Sequence, residues 1–130
     1  MVGDPISDMF SRINNASRVG KVSAIIPYSK LKIEIAKLLE RRGLTGEAVR
    51  KGKKNRRNIE LTLLYDGNRS KLTEIKSISK PSRRVYMGWR KLKPFKGGLG
   101  FYILSTPAGI MDDKQARRLK VGGEVLGRAW

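Results

Sequence analysis

The sequence contains no cysteine and no histidine. Without Cys there is no disulfide framework, no zinc ribbon and no thiol nucleophile. Without His, a Ser-His-Asp triad and an imidazole-ligated metal are excluded as well. Acid is scarce: 11 Asp plus Glu stand against 29 Lys plus Arg, a formal net charge of +18. No apolar run approaches the ~18 residues that a membrane-spanning helix needs. The opening, Met1-Val2-Gly3-Asp4-Pro5, has neither the pattern of a secretory signal nor the Arg-rich, acid-poor one of a transit peptide.

What is present suffices for a fold. Of 130 residues, 39% are hydrophobic, and they fall in periodic runs. That predicts a modest core, in one domain or two small ones. A folded chain at +18 repels itself and gains by meeting a polyanion, of which nucleic acid is the leading candidate. A basic surface with no specific partner ranks second.

Residues 4–19 read as a helix. Asp4 can cap it, and Pro5 suits the first helical position, where a missing N–H costs nothing. Ile6, Met9, Phe10, Ile13 and Ala16 form its apolar stripe. Val22, Ala24 and Ile26 give a short strand ended by Pro27. Ser29 caps a second helix whose predicted buried face is Leu31, Ile35, Leu38 and Leu39, with a stop at Gly43. Residues 44–50 and 59–65 read as two strands joined by a basic loop containing Lys53 and Lys54. That loop is either a solvated linker or an RNA-facing tip.

Tyr65-Asp66-Gly67-Asn68 is a turn, and the stretch to Lys71 is the candidate boundary between units 1–66 and 72–130. Residues 72–79 predict a strand, 80–82 a turn and 85–89 a half-buried strand. Residues 76–96 hold eight Lys or Arg and no acid. Gly97 to Gly100 suits a tight turn, since it lacks the Gly-Lys-Ser/Thr ending of a phosphate loop. Phe101 to Leu104 predicts a buried strand and 105–109 a polar loop. Asp112 with Gln115 predicts a capped helix running to about Leu119, and 121–130 a closing strand. The fold class is α+β: an N-terminal α-β-α-β-β unit and a C-terminal, mainly antiparallel β unit with one short helix.

Enzymatic readings are weak. Asp112-Asp113 is better explained as a helix cap than as a metal pair, and nothing marks a general base. RNA-binding readings fare better. Lys and Arg neutralise phosphates, whereas specificity needs short polar groups and flat rings against bases and 2′-hydroxyls. Ser105 and Thr106 offer two hydroxyls at the end of an apolar strand, and Tyr86 a ring among basic residues. Glu124 is an isolated acid, read either as an ion-pair partner of a nearby Arg or as an acceptor for base N–H groups. Arg12 and Asn15 share the polar face of the first helix, as a solvated face or as a second RNA contact.

Several blocks resemble one family. They are Asp4-Pro5-Ile6-Ser7-Asp8-Met9 with Arg12-Ile13 and Asn15; Pro27-Tyr28-Ser29-Lys30-Leu31-Lys32; and Ile78-Ser79-Lys80-Pro81 with Arg83-Arg84-Val85-Tyr86. The closing blocks are Gly97-Gly98-Leu99-Gly100, Ile103-Leu104-Ser105-Thr106, Gly109-Ile110-Met111, Ala116-Arg117-Arg118 and Val121-Gly122-Gly123-Glu124-Val125. In this order they resemble the bacterial-type small-subunit ribosomal protein number eight family. The resemblance implies two small α+β domains and binding to the central domain of small-subunit ribosomal RNA during assembly. It implies that RNA contacts are mainly C-terminal, at Ser105, Thr106, Tyr86 and Glu124, with weaker ones at Asp4, Arg12, Asn15, Ser29 and Lys30. Lys80, Arg83, Arg84 and Pro107 complete the candidate set.

Implied partners are this RNA, neighbouring small-subunit proteins and, in some bacterial members, the protein's own messenger. No cofactor or membrane is implied, and the protein is expected to be monomeric outside a bacterial cytoplasmic or plastid ribosome. Pro107 and Ala108 depart from the family's Ser or Asn followed by Lys. Ser82 replaces a Gly, Asp112 a Thr, and Gly127 a larger residue, frequently Cys. The alternatives are a nonspecific basic RNA chaperone or translational repressor acting off the ribosome, and a nuclease built on Asp112 and Asp113.

Overall fold

The computed structural model describes residues 4–94 and 98–130. Its order is α1 (Pro5–Arg18), β1 (Ser23–Pro27), α2 (Lys30–Arg41), β2 (Thr45–Lys51), β3 (Asn58–Leu63), β4 (Tyr65–Asp66), β5 (Arg69–Ser70) and β6 (Ile75–Ser77). Then follow β7 (Tyr86–Met87), a 3-10 turn (Trp89–Lys91), β8 (Phe101–Thr106), β9 (Gly109–Asp112), α3 (Asp113–Leu119) and β10 (Gly123–Ala129). The N-terminal α-β-α-β-β order and the antiparallel C-terminal sheet with one short helix are both present.

Local chemistry sets the helix ends. The Asp4 carboxylate accepts the Ile6 N–H at 3.0 Å, and the Ser29 hydroxyl accepts the Lys32 N–H at 3.1 Å. Asp112 accepts the Gln115 N–H at 2.7 Å. Each cap satisfies a backbone donor that the first turn leaves without a partner.

β3 lies between β1 and β2 in a three-stranded sheet, all neighbours antiparallel. In the second sheet the order is β6-β10-β8-β9, with β7 also paired to β10. One cluster of buried side chains joins the two: Met9, Phe10 and Ile13 of α1 and Leu38 and Leu39 of α2 meet Phe101, Ile103, Leu126 and Ala129. A smaller cluster lies on the other face of the second sheet, where Leu104 and Val125 pack with Ala116 of α3 and Leu92. β8 is therefore buried on both faces, which is why residues 101–104 read as a continuous apolar run.

Several boundaries differ from the sequence expectation. Only Ile75–Ser77 of the 72–79 stretch is strand. The 85–89 strand is cut to Tyr86–Met87, because the chain turns into the 3-10 segment at Trp89. The loop expected over 105–109 shrinks to Pro107 and Ala108, since β8 runs through Thr106 and β9 begins at Gly109. Leu31 is exposed, whereas Lys32 is buried with Ile35, Ala36, Leu38 and Leu39. The aliphatic stem of a Lys can fill such a position. Tyr65–Ser70 forms a small hairpin, β4-β5, at the expected boundary, and the larger buried cluster runs across it. The expected turn at Gly97 to Gly100 lies partly outside the described residues.

Candidate nucleic-acid interface

Three strand segments converge where β7, the end of β8 and the start of β10 meet. Gly123 pairs with Met87, and Glu124 pairs with both Tyr86 and Ser105. The approach is close enough to demand glycine. A Cβ on Gly122 would sit 2.6 Å from the Met87 carbonyl oxygen, and one on Gly123 would sit 2.1 Å from that of Ser105. Beside this junction is an open trough of about 560 Å³, lined by Tyr86, Met87, Ser105, Thr106, Pro107 and Glu124 among others. Five sequence-predicted site residues thus come together: Tyr86, Ser105, Thr106, Pro107 and Glu124.

The groups differ in how free they are. Tyr86 is 70% exposed, so its ring face is open for stacking. The Thr106 hydroxyl donates to the Gly109 carbonyl at 2.8 Å and accepts the Ala108 N–H at 3.1 Å. Its first role is to build the β8-β9 turn, which leaves it one acceptor lone pair. The Ser105 hydroxyl carries no such turn bond.

Glu124 is held from one side. Its Oε2 accepts from the Ser79 hydroxyl at 2.5 Å and from Arg84 at 3.3 Å. The Ser79 hydroxyl in turn accepts the Val85 N–H at 3.1 Å. The ion-pair reading of Glu124 is therefore present, with Arg84 as the partner. Its other oxygen remains available to a donor in the trough. Lys80 and Arg83 exchange backbone hydrogen bonds at 3.0 and 2.9 Å, making a tight turn that presents exposed cations next to Arg84.

Other predicted residues lie elsewhere. Asp4 is a helix cap that also accepts from Ser7. Arg12 pairs with Asp8 at 2.8 Å, and with Asn15 it lines a different groove, between α1 and β1. Ser29 caps α2, and Lys30 is exposed beside it. Lys53 and Lys54 are exposed in the β2-β3 connection. Arg50 of that hairpin also stacks on Tyr28, 5.4 Å from the ring centroid.

Sequence reasoning missed Ser79, which anchors Glu124, and the close-approach role of Gly122 and Gly123. The Gly-Gly pair before an alternating strand was the available signal for the second. Nothing local marks Ser79, because its partner is 45 residues away.

The two acids that a nuclease would need are already engaged. Asp112 caps α3 and pairs with Arg42. Asp113 accepts from Tyr102 N–H at 2.8 Å and pairs with Arg117 at 2.6 Å. Among the described residues no cluster of three or more acids could hold a metal ion, and no helix is long and apolar enough to cross a membrane.

Comparison with known proteins covers nearly the whole chain. The family model described as ribosomal protein S8 matches residues 4–130. A small ribosomal subunit protein uS8 from Coxiella burnetii is 43% identical over 126 residues, 97% of each chain. One from Mycoplasmopsis agalactiae is 42% identical over 129 residues, 99% of this chain and 98% of its own. Another, from a Synechococcus strain, is 41% identical over 131 residues, covering 99% and 98%. With a family match and relatives that span nearly the full length of both partners, this chain belongs to the ribosomal protein S8 family.

Proposed function

We propose that this protein is a non-enzymatic structural constituent of the bacterial-type small ribosomal subunit, and that it binds the central domain of small-subunit ribosomal RNA directly. Its mechanism is to hold an irregular RNA helix in one shape, which lowers the entropy that later assembly steps must still remove. The observation that carries the reading is the trough at the β7-β8-β10 junction, where an open ring, a free hydroxyl and a carboxylate anchored by Ser79 and Arg84 come together.

The parts divide the work. Lys80, Arg83 and Arg84 supply phosphate neutralisation, which gives affinity without sequence information. Tyr86 supplies a stacking face for an unpaired base. Ser105 and the free oxygen of Glu124 read hydroxyl and amino groups, the contacts that distinguish one RNA shape from another. Thr106 and Pro107 keep the turn in its bound form. Ser29, Lys30, Lys53 and Lys54 add a second, weaker set of contacts from the N-terminal elements.

Binding to a central-domain helix, measured over a salt series beside a scrambled duplex of equal length, tests the reading. A preference of several kcal/mol that survives at high salt is expected, since counterion release is common to both RNAs. Equal affinities that fall together with salt would leave only a polyanion binder, the chaperone alternative.

A further inference from the structure

On two sheet edges of this protein a side chain takes up outward-facing backbone groups. On β6, the outward-facing N–H and C=O of Ile75 are both bonded by the Asn14 amide. On β2, the Ala48 N–H goes to Glu40. The outer edge of β1 has no such cover among the described residues.

The register shows which groups it leaves open. Leu63 N–H bonds to the Val22 carbonyl, and Tyr28 N–H bonds to the Arg57 carbonyl. Pairing between those points is unbroken, from Ser23 opposite Thr62 to Pro27 opposite Asn58. In an antiparallel ladder the bonded residues alternate. Even-numbered residues of β1 therefore bond to β3, while Ser23 and Ile25 turn their N–H and C=O outward. The open stretch has fixed ends. The Lys21 N–H and C=O are used, by Ala16 and by the Tyr65 hydroxyl, and Pro27 has no N–H.

The side chains around this edge are unusual for so basic a surface. Val19 is 69% exposed, Val22 79% and Ile25 47%. A groove of about 560 Å³ lies between α1 and β1, and Arg12, Asn15, Val19, Lys21, Ser23 and Ile25 are among its lining residues. Arg18 is exposed one residue before Val19. The nearby acids are already paired: Asp8 with Arg12, and Glu60, opposite Ile25 on β3, with Lys51.

We propose that the β1 edge and this groove take an extended segment of another small-subunit protein, one that alternates apolar and acidic residues. A phosphodiester backbone offers mainly acceptors, so it cannot satisfy an edge that presents donors and acceptors in alternation; an added strand can. On the α1 side the acids of that strand meet Arg12 and Arg18, and on the opposite face its apolar side chains cover Ile25. Asn15 serves the same segment as a polar contact. The ladder spans only two residues of β1, so the contact is weak in isolation and gains its strength from effective concentration inside the assembled subunit. The proposal rests on membership of the subunit and is independent of the RNA trough.

Amide hydrogen exchange at residue resolution tests it on the full chain in three states: free, bound to the central-domain RNA helix, and in purified small subunits. Ala24 and Ile26, bonded to β3, should be protected in all three. Ser23 and Ile25 should exchange freely in the first two and slow by about ten-fold or more in the subunit. Fast exchange in the subunit, or slowing by the RNA helix alone, overturns the proposal. A benzophenone side chain placed at Val22 identifies the neighbour in the subunit. The expected adduct maps to one extended protein segment, and an RNA adduct overturns the assignment. Ile25→Pro, which removes an outward N–H that β3 does not use, should cut the yield of that adduct several-fold relative to Ile25→Val. An unchanged yield rules out the ladder.

Discussion

The side-chain amide of Asn14 takes the place of a neighbouring strand for Ile75. Its Oδ1 accepts the Ile75 N–H at 3.0 Å, and its Nδ2 donates to the Ile75 carbonyl at 2.8 Å. The pair joins the middle of α1 to the edge of the C-terminal sheet. A second link lies on the same two elements, where the Ser7 and Ser77 hydroxyls are 2.9 Å apart.

Ile75 is fully buried, so its backbone groups have no water to replace a lost partner. Asn14→Ala should destabilise the protein by about 2–3 kcal/mol, the scale of leaving buried polar groups unpaired. Asn14→Asp keeps the acceptor but loses the donor to the Ile75 carbonyl, and should cost at least as much. Urea unfolding checks both. A loss below ~0.5 kcal/mol for Asn14→Ala would show that the edge relaxes to reach water.

Legibility in the sequence followed the range of the interaction. Asp4, Ser29 and Asp112 were readable as caps because cap and backbone donor are two or three residues apart. The buried strand at Phe101 was readable from its apolar run. β9 was not: Gly109–Asp112 has no period of its own and becomes a strand because β8 offers it an edge. Likewise Arg12 and Asn15 stood out as polar residues on a helix, while Asn14, which bonds a residue 61 positions away, did not. Candidate trough residues were readable as types, yet only the fold shows that Thr106 is committed to a turn and Ser105 is not.

Gly127 is packed against two distant neighbours. A Cβ there would lie 2.6 Å from the Phe10 ring and 2.5 Å from the Lys76 carbonyl oxygen. Phe10 and the Lys76 carbonyl together occupy the room that a larger residue at 127 would need. Gly127→Ala should destabilise by about 1–3 kcal/mol through overpacking. Phe10→Leu in the same chain should recover part of that loss, giving a non-additive double-mutant cycle. Additive effects would mean that the Lys76 backbone alone sets the limit.

Arg42 links the end of α2 to the C-terminal sheet. Its guanidinium pairs with Asp112 and lies 4.5 Å from the centroid of the Phe101 ring. Asp112 is buried, and losing its partner leaves a poorly solvated charge beside the α3 cap. Arg42→Ala should cost about 2–4 kcal/mol. Arg42→Lys should recover only part, because an ammonium cannot both stack and present a planar fork. Full recovery by Lys, in denaturant titration, would reduce the contact to simple charge pairing.

The two hydroxyls of the trough should separate in a binding assay. Ser105→Ala should weaken specific RNA binding by about 1–3 kcal/mol, as when a buried hydrogen-bond partner is left unpaired. Thr106→Ala should also weaken it, by loosening the turn that presents Ser105, whereas Thr106→Ser keeps the turn bonds and should bind as the parent does. Fast amide exchange at Ala108 in the unliganded Thr106→Ala protein would confirm the turn as the cause. Unchanged affinity in both Ala variants would remove the loop from recognition.

Lys53 and Lys54 give the cleanest test of the division between affinity and specificity. Both are exposed in the β2-β3 connection and make no ion pair among the described residues, so they are free to meet phosphate. Each phosphate contact contributes about one unit to the slope of log K against log salt. Lys53→Ala with Lys54→Ala should therefore lower that slope by about two. Central-domain and scrambled RNA should lose affinity alike, so their ratio stays unchanged. Charge reversal to Glu at both positions should weaken binding further in the same direction without altering the ratio. A loss confined to the central-domain RNA would instead make the hairpin a reader of RNA shape, and the recognition surface would then extend well beyond the trough at Tyr86.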